Sequence, residues 1–375
     1  MNVFLAAASL LAMPSLSGLS PAELHAPEGW SLTCSAVDRE GRVLAGCYMW
    51  DGPSGRHRVL LYVVGDCVDS VTIEDERITS ISMVRPASEG GYLAAFPSDY
   101  RSMETSVAML GPDGSVLWSA DTGRELQVGL VGLVDLLETP GTGLLLVGNL
   151  HGDDGYGRFC VASFGKGGLP GWEVLGEPGE EILAALPCEQ GVVLVGRMPG
   201  SFETRAFARC LNHDGETLWD RGYDIGGFSR FTCACGLPGG FIFAGTHWPL
   251  EGPQMGLVVR ADSSGNEVWR GLIAPDEGYQ QIYLRSALAV GEDRIVLAGF
   301  EARDDAPMGA DDAIVVLLDG GGNVLQRVTY GIPAHNHEEI YNMVAGQDGQ
   351  VRLFGRAWGD EYEGTCLLAF PPVSP

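Results

Sequence analysis

GGFIFAGTHWPLEGPQMGLVVRADSSGNEVW, residues 239–269, is the stretch that decides how this chain folds. A glycine pair opens a short hydrophobic run that closes on Gly245. A second run, GLVVRAD (256–262), follows, and the polar turn SSGN then leads into a segment ending at Trp269. Short apolar runs bounded by Gly, Asp and Ser read as strands rather than helices. Gly-Asn and Asp-Gly tolerate positive φ, so the turn reads as a tight hairpin.

The same phrase returns along the chain. Its first half appears as GRVLAG (41–46), GGYLAAF (90–96), GLLLVG (143–148), GVVLVG (191–196), GGFIFAG (239–245), DRIVLAG (293–299) and GQVRLFG (349–355). The closing positions 46, 96, 148, 196, 245, 299 and 355 stand 50, 52, 48, 49, 54 and 56 residues apart, and Phe96 alone is not glycine. The second half appears as PDGSVLW (112–118), LPGW (169–172), HDGETLW (213–219), SSGNEVW (263–269) and GGGNVLQ (320–326), with Gln326 where the others carry Trp. The first unit has only the degenerate GDCVDSV (65–71). Two further strand-like runs flank these marks, as in TSISMVR (79–85) and AIVVLLD (313–319). Each unit therefore reads as four short antiparallel strands.

A four-stranded sheet with two apolar faces cannot bury both alone, and stacking against like neighbours in a closed array solves this. The predicted fold is all-β: a seven-bladed β-propeller of four-stranded antiparallel blades. The last unit stops after its third strand, GTCLLAF (364–370). Either it stays three-stranded, or the N-terminal segment around Leu24 to Trp30 supplies the fourth.

Composition fits a folded chain: 375 residues, 45% hydrophobic, with 54 glycines at recurring places. The formal net charge is −26, and Lys166 is the one lysine. Such a field repels phosphate backbones and anionic membranes, so no nucleic-acid partner is expected. Residues 3–13 (VFLAAASLLAM) have the length of an export-signal core and are too short to span a bilayer. Residues 1–20 read as a signal peptide, residues 21–375 as one propeller domain, and the protein as secreted, periplasmic or cell-surface. No transmembrane segment is expected, and a monomer is. The nine cysteines lack any CxxC spacing. Most read as buried apolar residues, with one disulfide considered between Cys34 and Cys47.

The unit resembles the repeats of secreted bacterial β-propeller proteins, which run roughly GGYhhAG, then LxxxDxxGNxxW, then a Tyr-Gly and acidic turn. RVTYGIPAHNHEEIYNMV (327–344) and SSGNEVW carry the match. A more distant similarity, through DGSVLWSADTG (113–123), is to quinoprotein-type propeller repeats. These motifs specify packing and turns.

Candidate site residues come from two patterns. Thirteen residues before the closing position stand Thr33, Asp135, Thr232, Ser286 and Asn342, with Leu183 in the fourth unit; Ser82 joins with one inserted residue. The first strand of a blade lines the propeller channel, so these polar groups are candidates for holding a ligand or cation there. Asp135 is the one carboxylate among them. The second pattern is His335 and His337, two apart and so on one strand face, the candidate metal pair. Similar acidic turns at Glu180-Glu181 and Asp276-Glu277 support a solvated turn instead. The acidic loops holding Asp153-Asp154, Asp304-Asp305 and Asp311-Asp312 lack EF-hand spacing. Ca²⁺ is the one ion considered, and no cofactor is predicted. Trp248, Trp358 and Tyr362 are candidate sugar- or peptide-contacting aromatics. No GxSxG, HExxH or P-loop occurs.

The expected function is a non-catalytic exported module that binds a protein or glycan through loops 50–56, 149–157, 246–255 and 300–312. The alternatives are an enzyme at the channel mouth (hydrolase, lyase or quinoprotein-like) and an envelope-assembly scaffold that captures client strands.

Overall fold

The computed structural model describes the strands from Ala22 to Ile73, most of residues 81–122, 132–200 and 203–303, then 311–330, 337–345, 351–358 and 366–369. The leader read at residues 1–20 lies outside the described residues, as do His335, the acidic pairs at 153–154 and 304–305, and Tyr362. So do the side chains of Thr33, Cys34, Cys47 and Trp358.

Every described element is a strand, and the 28 strands fall into seven groups of four. The fifth sheet shows the pattern: Phe228–Leu237, Gly240–Trp248, Met255–Asp262 and Glu267–Ile273 pair antiparallel in chain order. The sixth is Gln281–Val290, Arg294–Ala302, Asp311–Asp319 and Val324–Tyr330, joined to the seventh through one parallel pair, Asp311 with His337. In the seventh, His337–Ala345, Val351–Trp358 and Cys366–Ala369 are completed by Ala22–Leu24, which pairs with Leu367–Ala369. The N-terminal segment therefore supplies the last strand. It does so with Ala22–Leu24, two residues earlier than the predicted start at Leu24.

The chain groups into two units, which divide within the fourth sheet. In each, neighbouring sheets share cores through strands buried on both faces. In the sixth sheet, Ile295 and Leu297 pack with Ile242, Ala244 and Ile282, while Val296 and Ala298 pack with Ile340, Met343 and Leu353. In the second, Ala94 and Phe96 join Leu44 and Ile73 of the first sheet, while Leu93 and Ala95 join Leu136, Leu144 and Cys160 of the third. Period-two alternation sends successive residues to opposite neighbours, so the run reads as continuously hydrophobic.

The closing glycine has a specific cause. In the first, third, fifth, sixth and seventh sheets the register of the first strand slips by one residue, a β-bulge. The bulge drives a first-strand carbonyl against the second strand. A Cβ on Gly245, Gly299 or Gly355 would collide with the carbonyl oxygen of Arg230, Tyr283 or Glu339 respectively. The second sheet pairs without a slip over Met83–Pro86, and it is the one that carries Phe96.

The tryptophans are joints between sheets. A Cβ on Gly168, Gly215, Gly265 or Gly322 would stand 2.8, 2.7, 2.6 or 2.8 Å from the ring of Trp118, Trp172, Trp219 or Trp269 of the preceding sheet. Gly265, at φ 75°, is needed both for that contact and for its left-handed turn. The Trp172 and Trp269 indoles donate to the His213 and Gly320 carbonyls at 2.7 and 3.0 Å.

Candidate functional site

Two of the polar first-strand side chains, Thr232 and Asp135, are engaged by neighbouring sheets. The Thr232 hydroxyl donates to the Leu284 carbonyl on the next sheet. Asp135 accepts from the Arg85 guanidinium at 2.8 Å and from the Leu136 amide at 2.9 Å. The Ser82 amide donates to the Ala95 carbonyl at 2.8 Å. Ser286 is buried and Asn342 half-buried. Asp135, Thr232, Ser286 and Asn342 stand at or beside the recurrent bulge, where the ladder is broken.

The acidic residues at the start of the sixth sheet's third strand are committed to protein groups. His337 Nδ1 lies 3.1 Å from Asp311. Burial raises the Asp311 carboxyl above its usual range, against the pull of His337. Asp312 takes the Tyr279 hydroxyl and the Arg303 guanidinium. Glu301, fully buried, is paired with Arg327 and accepts from Thr329 at 3.3 Å; burial raises its carboxyl too. Among the described residues, no three His, Cys, Asp or Glu gather as metal ligands.

The end of the fifth sheet where Trp248 stands is different. On one side of the sheet, a cleft of about 530 Å³ is lined by Gly200, Glu203, Arg205, Asp224, Gly227 and Ser229, among others. The Ser229 hydroxyl and His247 Nδ1, paired across strands, are 2.9 Å apart, and both residues are buried. Burial lowers the imidazole's affinity for a second proton, and Glu203 partly offsets this.

On the other side, rings and arginines form a ladder. The Arg230 guanidinium sits 5.0 Å over the Trp248 ring, and Trp248 meets Tyr283 edge-on at 6.1 Å. Tyr283 stacks on its cross-strand partner Phe300 at 4.6 Å. Arg285 lies 5.9 Å from the Tyr283 ring and 5.6 Å from that of Phe300. Arg285 is the extra residue of the sixth sheet's bulge, which re-aims its side chain. Among the described residues it makes no hydrogen bond or ion pair. Burial raises the Tyr283 hydroxyl above its usual range, and the positive charges of Arg230 and Arg285 oppose that rise. Trp248 was legible as a candidate. The four other members were not, since they come from the first and second strands of two different units; only Arg285's place beside the flagged Ser286 gave a signal.

No protein-family profile and no curated protein matches this chain. Solved structures do. The β-propeller domain of the Trilobed protease from Pyrococcus furiosus aligns with TM-score 0.55 at 7% identity, covering 94% of this chain and 97% of that one. A protein of unknown function from Dyadobacter fermentans aligns at 0.49 and 11% over 95% and 99%. The periplasmic gluconolactonase of Pseudomonas aeruginosa aligns at 0.46 and 14% over 82% and 87%. At such identities a likeness speaks to fold alone, and the first of these carries it. Seven groups of four antiparallel strands, the last completed from the N-terminal segment, and that alignment together give this chain the β-propeller fold.

Proposed function

We propose that this chain is an exported, non-catalytic propeller that binds a small carboxylate-bearing ring, such as the terminal uronic acid of a glycan, at the ladder of the fifth and sixth sheets. One observation carries the proposal: Arg285 is held over aromatic rings and, among the described residues, has no carboxylate partner in a chain of net charge −26. An acidic protein has carboxylates to spare, so an arginine held over rings is reserved for another anion. Guanidinium groups hold carboxylates in bidentate geometry, and aromatic faces pack against sugar rings. The overall negative field repels extended polyanions and favours a ligand with a single charge. Export rests on the apolar run at residues 3–13. No cofactor enters the proposal.

Trp248 provides the test. Glucuronate titrated into the protein is expected to change tryptophan fluorescence saturably, whereas glucose at equal concentration leaves it unchanged. Equal responses to the two sugars would remove the carboxylate from the proposal.

A second reading, hydrolysis in the cleft, is favoured by the Ser229–His247 pair, whose imidazole burial holds neutral and able to accept a proton. Covalent labelling by a fluorophosphonate that vanishes in Ser229→Ala would establish it. Labelling that is absent, or that survives the substitution, leaves the pair as packing between strands.

A further inference from the structure

In the fourth sheet, Cys188 ends the first strand (Glu181–Cys188), and Cys210 lies on the third (Thr204–Asn212). Their sulfurs are 4.0 Å apart, and both are free thiols. Cys188 is half-exposed and Cys210 buried. The Cys188 sulfur lies at the hairpin between the first and second strands, near the backbone amides of Gln190 and Gly191, which favour its anion. The imidazole of His213 is near enough for its charge to favour an anion there. His213 is itself fixed, with Nε2 3.3 Å from the Glu189 carbonyl. A neighbouring thiol 4.0 Å away, a nearby imidazole and partial exposure together mark a reactive thiol. The remaining free cysteines with described side chains, Cys160, Cys233 and Cys235, are all buried.

We propose that Cys188 and Cys210 form a redox-active dithiol, with Cys188 as the attacking thiolate and Cys210 as the resolving thiol, which closes to a disulfide by exchange with a low-molecular-weight disulfide. In the first step the Cys188 thiolate attacks one sulfur of the small disulfide. The S–S bond breaks, one small thiolate leaves with the bonding electrons and takes a proton from water, and Cys188 carries a mixed disulfide. In the second step Cys210 loses its proton to solvent and attacks the Cys188 sulfur, releasing the second small thiol. Two protein thiols are oxidised, and one small disulfide is reduced to two thiols. The local contacts lower the Cys188 thiol to about 6, with the Cys210 hydrogen bond the largest cause. Cys210 is raised, chiefly by that same bond and then by burial. A mixed disulfide on Cys188 removes the bond and the negative charge that hold Cys210 protonated, so the first step enables the second.

The product ties the first strand of the sheet to its third, across the second. This chemistry is independent of the ladder and of any sugar ligand.

The test uses the intact protein. Alkylation with iodoacetamide at pH 6.5, read by peptide mass spectrometry, is expected to modify Cys188 on the order of tenfold faster than glutathione reacts under the same conditions. Oxidised glutathione is expected to yield a peptide pair linked through Cys188 and Cys210. In Cys210→Ser the product is expected to stop as glutathione attached to Cys188. Alkylation of Cys188 no faster than glutathione overturns the proposal, as does oxidation that links neither cysteine to the other. If Cys210→Ser does not fold, the rate and the cross-link in the unmodified protein decide.

Discussion

The junction between the second and third sheets and the junction between the fifth and sixth are built alike at one end and unlike at the other. Both place a tryptophan on a hairpin glycine of the next sheet, Trp118 on Gly168 and Trp269 on Gly322. Both place arginines on first strands. In the earlier junction Arg85 is closed onto Asp135 at 2.8 Å, so its charge is cancelled within the protein. In the later one Arg285 lies over Tyr283 and Phe300, with no carboxylate against it among the described residues. The shared part repeats because ring-on-glycine packing is what joins sheets. The unshared part is where this chain departs from its own repeat, and that departure marks a surface kept for something outside it.

Breaking the shared part should have the largest effect. Gly265→Val forces a β-branched residue into a left-handed turn and drives a side chain into the Trp219 ring. It should cost about 3 kcal/mol or more, read as a lowered urea midpoint. Loss comparable to an ordinary surface substitution would mean that the ring contact is incidental.

The unshared part should separate binding from stability. Arg85→Ala leaves Asp135 half-buried without its partner and should destabilise by roughly 1 kcal/mol, with no change in ligand response. Arg285→Ala has no such partner to orphan, so its melting temperature should stay close to that of the parent.

A smaller effect concerns acid. Burial holds His247 below its ordinary affinity for protons, so the unfolded chain binds a proton more readily than the folded one. The stability this provides is present above about pH 6.5 and is lost as pH falls through the depressed folded value. His247→Asn should flatten the fall in stability as pH drops below about 6.5. An unchanged slope would show that the imidazole is wetter than its packing implies.

The fold was legible because its determinants are local and repeated. The closing glycines, the hairpin glycines and the tryptophans could be read six, five and four times over. Their physical cause was not legible. The bulge that demands Gly245, Gly299 and Gly355 is a property of strand register, which no single segment reveals. The contacts of the candidate site positions were equally out of reach. Thr33, Asp135, Thr232, Ser286 and Asn342 stand at or beside the bulge, and Thr232 and Asp135 meet the next sheet and Arg85. Of the candidate metal pair, His337 lies against Asp311, while His335 lies outside the described residues. The ladder depends on Arg230, Trp248, Tyr283, Arg285 and Phe300, brought together by sheet pairing and stacking across 71 residues of chain, with no periodic signal.

The most direct measurement is a calorimetric titration of glucuronate into the parent protein, Arg85→Ala and Arg285→Ala side by side. A lost charge-assisted contact predicts a fall in affinity of about tenfold or more for Arg285→Ala alone. Equal affinity in all three proteins, or an equal loss in both variants, would contradict the assignment of the ladder as the recognition surface.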